Sequence, residues 1–171
     1  VANLETPPII IGHSMGGMIL QHFLKTGTCK KAILLASVPP SGVLFASLRA
    51  LVRYPGLIPY LLQFNLLGGF KKYPQLMFNV PDLCERYAPL MCAESFVAYL
   101  GLMFPLKHRT SVTLLVVGGS ADGLITVQEF ADTAKHYRAQ LEIIEGGSHD
   151  LMLDKDFEKT AEVIKSWLEE K

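Results

Sequence analysis

Four short apolar runs stand out along the chain: Pro7 to Gly12 (PPIIIG), Lys31 to Ser37 (KAILLAS), Val112 to Val117 (VTLLVV) and Leu141 to Glu145 (LEIIE). They are rich in branched aliphatics and largely lack the polar alternation of a half-exposed strand, so each predicts a strand buried on both faces. The segments between and after them change period. Met15 to Lys25 reads as a helix closed by Gly27 as C-cap, and Val127 to Tyr137 and Phe157 to Leu168 read as two more. Strand alternating with helix predicts an α/β fold built on a mostly parallel sheet.

The interval 41–110 has a different texture. Pro55, Pro59, Pro74, Pro81, Pro89 and Pro105 lie within it, with Pro40 at its lip, and its apolar residues cluster without strand-like runs. Short, broken helices fit this better than a continuation of the sheet. The expected organisation is a core over 1–40, a helical insertion over 41–110 that covers something, and the rest of the core over 111–171.

Composition narrows the function classes. Half of the 171 residues are apolar, enough for one well-buried core. Sixteen basic and sixteen acidic residues give a net charge of zero. Lys30-Lys31 and Lys71-Lys72 read as solvated loop edges, so a nucleic-acid partner is disfavoured. The most apolar region, Leu57 to Phe70, is interrupted by Pro59, Gln63 and Asn65 and is too short to span a bilayer. Cys29, Cys84 and Cys92 are odd in number and lack C-x-x-C spacing, which argues against a disulfide framework or a zinc site. They read as buried thiols of a soluble protein in a reducing, intracellular compartment.

The chemistry centres on Gly12-His13-Ser14-Met15-Gly16, with Gly17 following, which fits G-x-S-x-G between a predicted strand and a predicted helix. A sharp strand-to-helix turn strains the serine backbone and pushes its oxygen out of the sheet, while the flanking glycines leave room around it. The helix N-terminus that follows favours negative charge at the same spot. A serine nucleophile needs a base, and the base needs an orienting acid. Asp122 follows VTLLVV and His149 follows LEIIE, each just beyond the C-terminal end of a strand. Among the competitors, His13 lies inside the elbow, His22 and His136 fall in predicted helices, and His108 ends the insertion. Asp150 is adjacent to His149 and Asp132 is mid-helix.

Four ordered segments, GHSMGG (12–17), LLASVPPSG (34–42), LLVVGGSADGLI (114–125) and GGSHDLMLD (146–154), resemble those of the α/β-hydrolase superfamily, in particular its lid-bearing esterases, lipases and peptidase-like members. The resemblance implies Ser14 as nucleophile, Asp122 as acid, His149 as base and the Met15 N–H as one oxyanion donor. It implies no metal or organic cofactor and a small acyl or ester substrate. The implied fold is the C-terminal part of the α/β-hydrolase sheet with a helical lid. Members of that family carry about four strands before the elbow and draw the second oxyanion donor from the loop after the third. The expectation is therefore an open sheet edge at the first strand, self-association or a partner there, and little turnover by these 171 residues alone. In the insertion, Leu44, Phe45, Leu48, Leu61, Leu62, Phe64, Leu66 and Leu67 suggest a lipophilic substrate or, equally, packing of the lid onto the core. A ligand-binding protein with little turnover and a silent fragment stay open as alternatives.

Overall fold

The computed structural model describes residues 4–170. Four strands, β1 (Ile9–His13), β2 (Lys31–Leu35), β3 (Leu114–Gly119) and β4 (Gln140–Ile144), form one parallel sheet in the order β1-β2-β3-β4. The register sets Gly12 beside Leu34, Leu34 beside Val116, and Gly119 beside Ile144. All four strands therefore end along the same rim, and the loops that leave β1, β3 and β4 converge there. The mostly parallel sheet expected from the apolar runs is what the chain builds.

The central strands carry the core. Ala32, Ile33 and Leu34 of β2 and Leu115, Val116 and Val117 of β3 are completely buried, as unbroken apolar runs require when both faces of a sheet are covered. Helix α1 (Met15–Phe23) follows β1, α7 (Val127–Tyr137) follows β3, and α8 (Phe157–Glu169) follows β4. The Tyr137 hydroxyl donates to Gln21 Oε1 at 3.2 Å, which puts α7 and α1 on one face of the sheet. A capping box between Thr126 and Glu129 starts α7. Its end is marked by Arg138 in the left-handed region. At the other end of the sheet, among the described residues, β1 pairs only with β2, and Ile9 and Ile11 are 42% and 51% exposed.

Between β2 and β3 lie five short helices, α2 (Leu44–Arg53), α3 (Ile58–Leu62), α4 (Leu66–Lys72), α5 (Pro81–Tyr87) and α6 (Phe96–Gly101), joined by single 3-10 turns at Pro55–Leu57, Pro74–Leu76 and Ala88–Leu90. Each of these turns, and α5, has proline in its first two positions, where the missing N–H costs nothing. The prolines thus both start these pieces and keep them short.

Several expectations need correction. Helix α1 stops at Phe23 with Leu24 as C-cap in the right-handed region, so Gly27 is not the cap. Instead Gly27 lies against the Phe23 ring, where a Cβ would fall within 2.4 Å of it. Strand β2 stops at Leu35, because Ala36 turns to φ 41°. Of the three thiols expected to be buried, Cys29 is, Cys84 is half-buried and Cys92 is exposed.

Candidate active site

The joint between β1 and α1 is a strained point of the rim. Ser14 has φ 50° and ψ −118°, a conformation L residues rarely adopt and one that costs about 1–3 kcal/mol. Its backbone is tied down on both sides: its N–H donates to Leu35 O at 3.1 Å, and its carbonyl accepts from Gly17 N at 3.0 Å and Val38 N at 3.2 Å. The turn is tight enough that a Cβ on Gly12 would sit 2.7 Å from the Gly16 carbonyl oxygen. One on Gly17 would sit 2.1 Å from Ser37 Oγ. Beneath it, fully buried Gln21 donates to Ser37 Oγ at 2.9 Å and to Val38 O at 2.7 Å, fastening α1 to the chain leaving β2.

A serine just before a helix ordinarily caps it with its hydroxyl. Ser14 makes no such cap. Its Oγ lies 2.8 Å from His149 Nε2, and His149 Nδ1 lies 2.8 Å from Asp122 Oδ2. Asp122 is itself aimed, since its Oδ1 accepts the N–H groups of Leu124 at 2.7 Å and Ile125 at 2.9 Å. The side chains of His149 and Asp122 are 1% and 0% exposed. A carboxylate only accepts, so the proton between them belongs on Nδ1, and the Nε2 lone pair faces the Ser14 hydroxyl. Burial alone would lower the His149 pKa. The charge of Asp122 and its hydrogen bond outweigh burial and hold the imidazole above the ordinary histidine value. At the first helical position, the Met15 N–H has no intrahelical acceptor.

Ser14, Met15, Gly16 and His149 form part of the wall of a cavity of about 380 Å³, closed opposite by apolar residues of the helical segment such as Leu51, Tyr60, Phe70 and Leu102. Of the eight insertion residues singled out from sequence, Leu61, Leu66 and Leu67 line it. The other five, Leu44, Phe45, Leu48, Leu62 and Phe64, are each at least 46% exposed and neither line the cavity nor fill the core. A wider depression of about 660 Å³ beside α5 contains none of Ser14, Asp122 or His149.

The competing groups engage other partners. His22 is exposed on α1, and His136 donates from Nε2 to the His108 carbonyl at 2.9 Å. Asp132 accepts from Gln128 on the surface. Asp150 approaches His13 Nε2 at 3.5 Å rather than the His149 ring. Two contacts were not readable from residue types. His13 Nε2 lies 3.0 Å from the His149 carbonyl oxygen, and the Met77 carbonyl accepts the N–H groups of both His149 and Asp150. Among the described residues, no group of three or more His, Cys, Asp or Glu side chains is placed to hold a metal ion, and no helix is long and apolar enough to cross a membrane.

Comparison with known proteins agrees with this architecture. The profile of the alpha/beta hydrolase family matches residues 1–163, and the chain belongs to that family. No curated protein sequence matches it significantly. Among solved structures it is similar to an esterase from Exiguobacterium antarcticum, with TM-score 0.74 and 20% identity over 96% of this chain and 68% of that one. It is also similar to a bromoperoxidase from Bacillus anthracis, with TM-score 0.67 and 15% identity over 96% of this chain and 68% of that one. A soluble variant of monoglyceride lipase from Saccharomyces cerevisiae gives TM-score 0.66 and 14% identity over 95% and 61%. At these identities the likeness is one of fold, and the chain spans about two thirds of the length of these relatives.

Proposed function

We propose that the protein is a serine hydrolase that cleaves an ester, or a related acyl bond, of a small lipophilic substrate, with the helical segment 41–110 acting as a lid over the site. The observation that carries this reading is the continuous hydrogen-bonded line from Ser14 Oγ through His149 to Asp122, ending in an apolar cavity. Ser14 Oγ bonds to the acyl carbon while His149 Nε2 takes its proton. The Met15 N–H supports the oxyanion. The alcohol then leaves with the proton from Nε2, and a water molecule, deprotonated by the same nitrogen, releases the acid and restores the serine. A cavity of about 380 Å³ lies toward the small end of ligand sites, which suits an acyl group of modest length.

A fluorophosphonate probe followed by mass spectrometry tests the nucleophile. Labelling is expected on Ser14 and lost in Ser14→Ala, together with turnover of a short p-nitrophenyl ester. Labelling on another serine would overturn Ser14 as the nucleophile, and ligand-induced thermal stabilisation without any turnover would favour the ligand-binding reading.

A further inference from the structure

The loop that carries His149 has no strand or helix of its own to fix it: after β4 ends at Ile144, residues 145–156 are turns and bends. Its backbone must therefore be held from outside. One support is internal, where the Ser148 N–H and hydroxyl both bond to the carboxylate of buried Asp154, at 2.6 and 2.7 Å. The start of the loop is also tied to the chain leaving β3, where the Gly146 N–H donates to Ser120 Oγ and the Gly147 carbonyl accepts the Ala121 N–H, both at 2.8 Å, and two further contacts reach His149 and Asp150 themselves. On the helical side, the single carbonyl of Met77 uses both lone pairs, taking the His149 N–H at 3.1 Å and the Asp150 N–H at 3.3 Å. On the elbow side, the His149 carbonyl meets His13 Nε2 at 3.0 Å. A carbonyl only accepts, so His13 donates from Nε2.

We propose that His13 and the turn around Met77 form a two-sided clamp that positions His149 against Ser14, so that this part of the helical segment belongs to the catalytic apparatus. The proposal rests on the esterase reading of the site.

The turn is itself buried against the core. Leu76 and Phe78, on either side of Met77, are only 1% and 2% exposed, although they belong to the helical segment. The same turn abuts the loop of the acid: a Cβ on Gly123 would lie 2.7 Å from the Leu76 carbonyl oxygen and 2.8 Å from that of Gln75. Asn79 Nδ2 donates to the Gly146 carbonyl at the start of the base loop. Residues 75–79 thus touch the loops of both Asp122 and His149. By contrast, α2, α3 and the turns near them carry exposed apolar residues such as Val52 and Leu62, at 82% and 74%. Burial, and then the neighbouring His149, lower the His13 pKa, so at neutral pH His13 is an uncharged donor and adds no repulsion to an imidazolium at His149. A base displaced by about 1 Å can lose ~10²-fold in rate, which sets the scale of what a clamp protects.

The test uses the full chain with His13→Leu, which removes the donor, and His13→Gln, which can restore one. Turnover of a p-nitrophenyl ester is expected to fall ~10- to 100-fold in kcat for His13→Leu, with KM within about twofold. The rate of fluorophosphonate labelling at Ser14 should fall in parallel, and His13→Gln should recover most of both. Hydrogen exchange on the unsubstituted protein gives an arm that depends on neither activity nor a variant's folding: the amides of His149 and Asp150 should exchange far more slowly than those of α3. Wild-type kcat in His13→Leu, a Gln variant as impaired as the Leu variant, or rapid exchange at His149 and Asp150 would each overturn the clamp. Full ester turnover by Ser14→Ala would instead overturn the esterase reading, leaving the exchange result to judge the clamp.

Discussion

Replacing Asp122 by Asn should silence the site while leaving the fold standing, and the hydrogen bonds around the carboxylate say why. Two backbone N–H groups, those of Leu124 and Ile125, are aimed at Oδ1 from 2.7 and 2.9 Å. An asparagine must keep its carbonyl oxygen there, so its NH₂ is forced to face His149 Nδ1. A donor then meets the nitrogen that has been a donor, and the ring relieves the conflict by moving its proton to Nε2. The nitrogen opposite Ser14 Oγ then carries a proton and cannot accept another. Trapping the wrong tautomer in this way costs ~10⁴-fold in turnover in enzymes that use this arrangement, equivalent to roughly 5.4 kcal/mol of barrier at 1.36 kcal/mol per decade. The pH profile moves too. Activity needs neutral His149, so the acid limb of kcat/KM in the unsubstituted protein should lie above the ordinary histidine value of about 6.5, in the direction of the raised pKa. In Asp122→Asn the charge that raised it is gone while burial remains, so residual activity should titrate at lower pH. Hydrolysis of a short p-nitrophenyl ester across pH, beside circular dichroism of both proteins, measures this. A folded Asp122→Asn variant with near-normal turnover and an unmoved acid limb would show that another carboxylate orients the base.

Ser14→Gly should abolish turnover and yet stabilise the protein by about 1 kcal/mol in urea, because relief of strain worth about 1–3 kcal/mol exceeds the extra chain entropy a glycine loses; a less stable Gly variant would mean Ser14 is not strained. Two neighbouring glycines should respond to alanine with opposite signs. Gly16 has open space around its missing Cβ, so Gly16→Ala should stabilise α1 by about 0.5–1 kcal/mol. Gly17→Ala drives a methyl into buried Ser37 and should cost about 1–3 kcal/mol. Equal shifts in their urea midpoints would refute the close approach of α1 to the chain leaving β2.

The sheet was legible in the sequence because its evidence is local and redundant: β2 and β3 are buried on both faces, and no polar residue interrupts Ala32 to Leu35 or Leu114 to Val117. Ser14 stood out for a similar reason, since a strained turn between a strand and a helix admits few residue types. What did not show are contacts made by groups without a residue-type signature. The Met77 carbonyl that receives the base loop belongs to a residue of no distinctive chemistry, and any residue could have supplied it. The contact of His13 was equally hidden, because its partner is a backbone oxygen 136 positions away. The faces of α2 were equally opaque. Leu44, Phe45 and Leu48 have the composition of a pocket wall, but only the packing of short helices against one another decides which side meets the cavity.

The strained serine also has a history within each molecule's synthesis. Its backbone is restrained by Leu35 and Val38, residues that leave the ribosome soon after it, whereas His149 lies 135 residues further on. At translation rates of roughly 5–20 residues per second, that separation is many seconds. During that interval the residues that restrain the Ser14 backbone are already in the nascent chain, while the imidazole that meets its hydroxyl is not. If Ser14 is the nucleophile proposed above, its turn is thus made well before the base that would activate it.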